Sequence, residues 1–351
     1  MSDTVVTLIE RIQSRCSQRW TLMEVCGGQT HALLRHGLDQ LLSECVELIH
    51  GPGCPVCVTA IERIDQALAL ASRPDVILCS YGDMLRVPGS DGRDLLSLRA
   101  QGADVRVLYS PLDALQIARD CADRLVIFLA VGFETTAPAT ALLAQRALAE
   151  GVTNLKVLLA HVRVAPVLDP LLSEANCAVQ GLLAAGHVCA VMGEQEYVDL
   201  AQRHRLPIVV TGFSPRALLQ GILQCVEQLE DGRHQLENAY DEVVDAEGNR
   251  QARALIHAVF EPSDTIWRGL GVVPGGGYRF RSPFAVLGLN EPGPPPGGAC
   301  PDACPSARVL QGLMRPSECA SFAGACTPEH PLGAPMVSSE GACAAYYRYH
   351  R

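Results

Sequence analysis

Lysine is almost absent from this 351-residue chain: Lys156 is the only one, and arginine supplies the other basic residues without forming a dense run. The formal net charge is -10. That balance offers no electrostatic footprint for nucleic acid or for an anionic membrane surface. Long apolar runs are missing too. No uninterrupted stretch reaches the roughly 18 residues of a spanning helix. The start, MSDTVVTLIERIQSRCSQ, carries acids in an amphipathic pattern instead of the basic start and apolar core of a signal peptide. A soluble, cytoplasmic protein is the expectation. No glycine stretch matches GxGxxG or a phosphate loop ending in GKS or GKT, so the common nucleotide cradles are lacking. A serine nucleophile elbow and an HExxH zincin helix are missing as well.

Cysteine, by contrast, is abundant, with 15 in the chain. A secreted disulfide framework would suit a shorter chain, and the number is odd. In a reducing compartment such a surplus points to metal or redox work. Cys79, Cys121, Cys177, Cys189 and Cys225 sit in apolar surroundings and read as core packing, as do Cys16 and Cys45. Two groups remain. Cys54 and Cys57 lie in HGPGCPVC, between an apolar strand and an amphipathic run, with Cys26 upstream in MEVCGGQTH. Amides at a helix start lower the pKa of a thiol placed there. A CxxC can close a disulfide, ligate a soft metal or exchange thiols. Two structural thiols, or a zinc site with His50 as an added ligand, are the plainer readings. Cys26, on a glycine turn near His31, is expected to join this centre. The second group is Cys304, Cys319, Cys326 and Cys343, with Cys300 a fifth thiol. Four thiolates suit an iron–sulfur cluster or tetrahedral zinc equally, although the spacing is wider than that of a zinc knuckle.

Hydrophobic periodicity predicts a helix over 4–18, then short apolar strands alternating with helices: strands at 23–26, 46–49, 76–79 and 105–109, then 125–131, 155–160, 188–192 and 208–211. This alternation argues for two parallel-sheet α/β domains of similar type. Asp83, Glu134 and His161 each follow a strand, where open α/β sheets form crevices. Arg86, Thr135, His187 and Glu340 join them as candidates. A carboxylate in such a place also commonly caps the next helix, and a histidine beside Gly186 can simply satisfy a turn. From about 231, Gly, Pro and Cys become frequent, and GVVPGGGY and EPGPPPGGACPDAC read as irregular. The expected division is 20–122 and 123–230 for the α/β domains. An irregular, mainly helical, Cys-rich iron–sulfur domain takes 231–351, with the N-terminal helix of 1–19 packed on it.

The blocks MEVCGGQTHALLRHG, HGPGCPVCV, YGDMLRVPGS, VGFETTAP, FEPSDTIWRGLGVVPGGG and MVSSEGACAAYYRY, in this order over nearly the whole chain, resemble the HypD family of NiFe-hydrogenase maturation factors. The resemblance implies a cytoplasmic scaffold that works with a small HypC-type chaperone. On an iron held between them, the Fe(CN)2CO unit of the hydrogenase is assembled. Cyanide would come from HypE, with HypF upstream, and the finished unit would pass to the large-subunit precursor. It implies that Cys26 coordinates the iron, that Cys54 and Cys57 are a redox-active pair, and that Cys304, Cys319, Cys326 and Cys343 hold a 4Fe-4S cluster. His31, Asp83, Glu134, His161 and Glu340 would surround the iron or its electron path. Three positions depart from the family pattern. Gln29 stands where the family has the first histidine of CGGHTH, while Ser306 and Pro335 stand where it has extra cysteines. A stand-alone thiol–disulfide oxidoreductase and a zinc-stabilised interaction protein are the competing readings.

Overall fold

The computed structural model describes residues 4–289 and 304–350; Cys300 and most of EPGPPPGGACPDAC lie outside them. Eleven strands are found among the described residues: β1 Trp20–Glu24, β2 Val46–His50, β3 Val76–Ser80, β4 Val105–Val107, β5 Leu125–Gly132, β6 Leu155–His161, β7 Gly181–Ala185, β8 Ile208–Thr211, β9 Leu236–Asn238, β10 Phe260–Trp267 and β11 Gly271–Phe280. Nine of them build two fully parallel sheets, ordered β2-β1-β7-β8-β9 and β4-β3-β5-β6. The two-sheet α/β expectation agrees with this architecture.

Strand alternation explains how the sheets pack. Successive side chains point to opposite faces of a strand. Ile127 and Leu129 of β5 therefore join Met23, Ile49 and Leu182 of the first sheet in one core, while Val126 and Phe128 face the other way into a second. Helices Ile61–Ala71, Val164–Ser173 and Gln195–His204 contribute to the shared core. Cys79, Cys189 and Cys225 are fully buried in these cores, as their apolar settings predict.

The chain does not divide into consecutive halves. The first sheet takes β1 and β2, then recruits β7 to β9 after the chain has built the whole second sheet. The expected division at 122/123 thus falls inside the second sheet, between β4 and β5. The N-terminal helix Val5–Arg15 also lies elsewhere than on the Cys-rich segment. Leu8 and Ile12 are buried against helix Pro215–Glu230, with Leu218 and Ile222 in the same cluster. Arg11 pairs with Glu227 at 3.2 Å and Arg15 with Asp231. Strand 188–192 is in fact helix Gly186–Met192; the strand is the preceding run GLLAA. Both are short apolar stretches that periodicity alone does not separate.

The stretch GVVPGGGY is strand, not coil. β10 and β11 pair antiparallel, and the register steps from Ser263↔Gly277 to Thr265↔Val273. Pro274, Gly275 and Gly276 are thereby looped out of the ladder. A bulge of this kind absorbs the proline that the ladder cannot, and Gly275 takes φ +60°. Residues 304–350 form short helices and turns, ending in helix Ala342–Tyr349, which packs on helix Gly27–Arg35. No helix among the described residues is long and apolar enough to cross a membrane.

Candidate functional site

Ligand crevices in open parallel sheets form at the carboxyl ends of strands, where the strand order reverses and adjacent loops diverge. In the first sheet that point lies between β1 and β7; in the second it lies between β3 and β5. Cys26 follows β1 and His187 follows β7. Asp83 follows β3 and Glu134 follows β5. The topology thus assigns these side chains to two switch points.

Cys26 is the N-cap of helix Gly27–Arg35 and is buried. Its Sγ lies 3.7 Å from His187 Nε2, and the His187 ring stacks on Phe213 at 5.0 Å. Burial pushes the Cys26 thiol up to about 12, with Glu24 and Glu340 adding to the rise, while the amides of Gln29 and Gly28 pull it back. The helix amides are present as expected, but dehydration outweighs them. Glu24, the last residue of β1, is fully buried and organises the turn. It accepts hydrogen bonds from the Cys26 amide at 2.8 Å and from the Thr30 hydroxyl, and it contacts Nδ1 of its cross-strand partner His50 at 2.7 Å.

The Cys54–Cys57 loop is laid directly on this turn. Cys54 and Cys57 are joined by a disulfide and are buried, Cys54 capping helix Pro55–Val58. The Gly27 amide donates to Gly53 O at 2.8 Å, and a Cβ on Gly53 would lie 2.3 Å from Cys26 N. Only glycine allows that approach. Across the turn, a Cβ on Gly27 would lie 2.4 Å from Glu340 O, so the C-terminal segment closes the other side.

The remaining expected residues divide. Glu340 and Asp83 lie at the surface, and the Glu340 carboxyl is raised first by the surrounding protein and then by the Asp83 charge. Arg86 holds the C-terminal segment through Val337 O at 2.6 Å. His31 is on the flank, with Nε2 3.0 Å from the Tyr349 hydroxyl, and burial lowers its pKa. Glu134 and His161 belong to a buried region of the second sheet. Glu134 does not cap its following helix; its Oε1 accepts the Val164 amide at 3.0 Å. Burial lifts Glu134 to about 7, Glu196 adds to this, and Arg163 opposes it. His161 Nε2 meets Thr140 at 2.8 Å, and burial lowers it to about 4.

Two side chains central to this site, Glu24 and Tyr197, were not singled out by motif reasoning, and Gln29 stood out there only as a departure from the family pattern. Glu24 reads as an ordinary strand residue, although a carboxylate ending an apolar strand is itself a signal. Gln29 donates to Ala184 O at 3.0 Å and Thr211 Oγ1 at 2.8 Å, tying the helix to the ends of β7 and β8. Its role in this chain is that tie. Tyr197 is buried, and burial raises its phenol first, with Cys189, Glu134, Glu196 and Cys26 adding to the rise.

The other cysteine group also meets. Cys304, Cys319, Cys326 and Cys343 line one cavity with Phe322, Leu332 and Met336, and Ser306 and Pro335 line it too. The Cys343 thiol is raised first by burial and then by Cys304, Cys326 and Cys319. Among the described residues, no group of three or more His, Cys, Asp or Glu is disposed to hold a single metal ion.

Fold and site together define a double-sheet α/β protein with a disulfide packed on a buried thiol at the strand ends and a cysteine-lined cavity nearby. The family model described as "HypD: Hydrogenase formation hypA family" matches residues 3–350, and the chain belongs to the HypD family. It is 45% identical over 343 residues to the "Hydrogenase expression/formation protein HupD" of Azotobacter chroococcum mcd 1, covering 95% of this chain and 90% of that protein. It is 43% identical over 359 residues to the "Hydrogenase maturation factor HypD" of Escherichia coli (strain K12), covering 99% and 95%.

Proposed function

We propose that this chain is a hydrogenase maturation scaffold which, with a HypC-type chaperone, holds iron as cargo while the Fe(CN)2CO unit is assembled. The observation that carries this reading is the contact between the two loops: Gly53 packs on the backbone of Cys26, so a buried single thiol and a disulfide share one crevice. A stand-alone oxidoreductase would need only the pair. Here Cys26 supplies the thiolate to iron, and binding displaces its proton. His187, at 3.7 Å and with its pKa lowered by burial, presents a neutral ring nitrogen to that thiol. Cys54 and Cys57 exchange two electrons through their disulfide. HypE, with HypF upstream, supplies cyanide, and the large-subunit precursor receives the product.

Cys304, Cys319, Cys326 and Cys343 fit a 4Fe-4S cluster by donor type. Four thiols around one cavity, with no His, Asp or Glu among the described residues that line it, would hold such a cluster. When bound, the cluster supplies one-electron transfer. The segment carrying it packs through helix Ala342–Tyr349 against the helix that starts at Cys26, and Tyr346 meets His50 at 5.5 Å. The chain's own part is to hold the four thiols beside the iron crevice.

Infrared spectroscopy of the complex purified anaerobically with its small partner tests the reading. Bands of metal-bound cyanide and carbon monoxide are expected, and they should vanish in Cys26→Ala. Their absence from a complex that contains iron would overturn the assignment.

A further inference from the structure

The hairpin β10–β11 reaches across the molecule and its tip lands on the disulfide turn. Trp267 forms an antiparallel bridge with Thr59 and is fully buried beside Phe133, at 6.0 Å. The next residue, Arg268, is also buried. Its amide donates to Val58 O at 2.9 Å, and its Nε donates to Thr59 O at 2.9 Å. These are the terminal carbonyls of the helical turn Pro55–Val58. Such carbonyls have no partner within a helix, and a helix this short has little stability of its own. Its backbone bonds are few: Cys57 to Cys54 O at 3.1 Å, Val58 to Cys54 O at 3.3 Å and Thr59 to Pro55 O at 3.1 Å. The turn matters because, when wound, it aims the Cys57 amide at Cys54 Sγ, 3.2 Å away.

We propose that Arg268 is a positioning residue for the Cys54–Cys57 pair, holding the turn wound from its carbonyl end so that the reduced pair is favoured. The proposal rests on the redox reading of the pair. An amide hydrogen bond is stronger to a thiolate than to a disulfide sulfur. A guanidinium held against the turn adds charge that favours a thiolate there. Both effects ease reduction. The reaction to be poised is balanced: two glutathione thiols form a glutathione disulfide, and their two electrons and two protons reduce the Cys54–Cys57 disulfide, one proton staying on the Cys57 thiol and the other passing to the buffer to leave Cys54 as the thiolate that the Cys57 amide faces. Arg268 acts through the backbone carbonyls of Val58 and Thr59.

The test uses the full-length protein in anaerobic glutathione buffers of graded ratio. The reduced fraction at Cys54 and Cys57 is read by differential alkylation and mass spectrometry of the peptide between Arg35 and Arg63. In Arg268→Gln the equilibrium constant for reduction should fall about tenfold, a midpoint about 30 mV lower. Arg268→Lys keeps the charge and one donor but not the planar fork, and should fall about threefold. Circular dichroism and urea unfolding establish which variants are folded, and the lysine variant carries the test if the glutamine variant is not. Midpoints equal to wild type in the folded variants would overturn the positioning role while leaving the redox reading intact. A wild-type pair that does not cycle across the buffer range would overturn both.

Discussion

At the residue scale, the site depends on contacts that leave no room for a methyl group. A Cβ on Gly53 would sit 2.3 Å from Cys26 N. Gly53→Ala should therefore force the two loops apart at a cost of about 1–3 kcal/mol. Hydrogenase maturation in cells relying on this variant should fall steeply, while urea unfolding still shows a cooperative fold; normal maturation would argue against the shared crevice. Glu134 provides a second test. Its folded pKa of about 7 exceeds the ordinary 4.5, so the folded state holds a proton that the unfolded state has released. Stability is thus fully present below 4.5 and declines as pH rises through 7, by at most about 3 kcal/mol. Urea unfolding at pH 5 and pH 8 should show this loss in the wild type and not in Glu134→Gln. Parallel behaviour of the two proteins would contradict the burial assigned to the carboxyl. The cysteines of the site were legible because thiols in glycine turns are chemically distinctive. Glu24 and Tyr197 were not, because their importance comes from what surrounds them, and those neighbours are distant in the chain.

At the element scale, most helices and strands follow from local pattern, and the exceptions share one cause. The run VCAVM resembles a buried strand, yet the preceding GLLAA takes the place between β1 and β8. GVVPGGGY resembles coil, yet its Pro-Gly-Gly loops out and leaves both flanks free to pair. In each case a pairing partner decides, and local propensity only permits. The N-terminal helix is another instance. Its apolar stripe is plain, but the stripe does not name the surface that covers it. Leu8 is fully buried against helix Pro215–Glu230. Leu8→Ala should cost about 2–5 kcal/mol, measured by urea unfolding, and should leave the visible absorbance of the proposed cluster unchanged in folded protein prepared without oxygen. Loss of that absorbance with little loss of stability would place the helix on the Cys-rich segment after all.

At the scale of the whole molecule, the second sheet is inserted between the strands of the first, and the C-terminal segment returns to the helix that begins at Cys26. The four C-terminal cysteines are thereby brought to the flank of the Cys26 crevice. Cys319→Ala should remove iron and acid-labile sulfide from protein prepared without oxygen while leaving the circular dichroism of the two sheets in place. A surviving four-iron signal would show that Cys319 is not a ligand. The chain itself determined what is local: the parallel α/β class from period and run length, the two thiol groups from composition and spacing, and apolar runs shorter than a spanning helix needs. Tertiary structure decided which strands share a sheet, where the first helix lies, and which carboxylates face the thiols. Closing a long loop costs little more than closing a short one. A chain can therefore leave one sheet after His50 and rejoin it at Gly181 with almost no trace in local sequence, and it is that return which sets His187 beside Cys26.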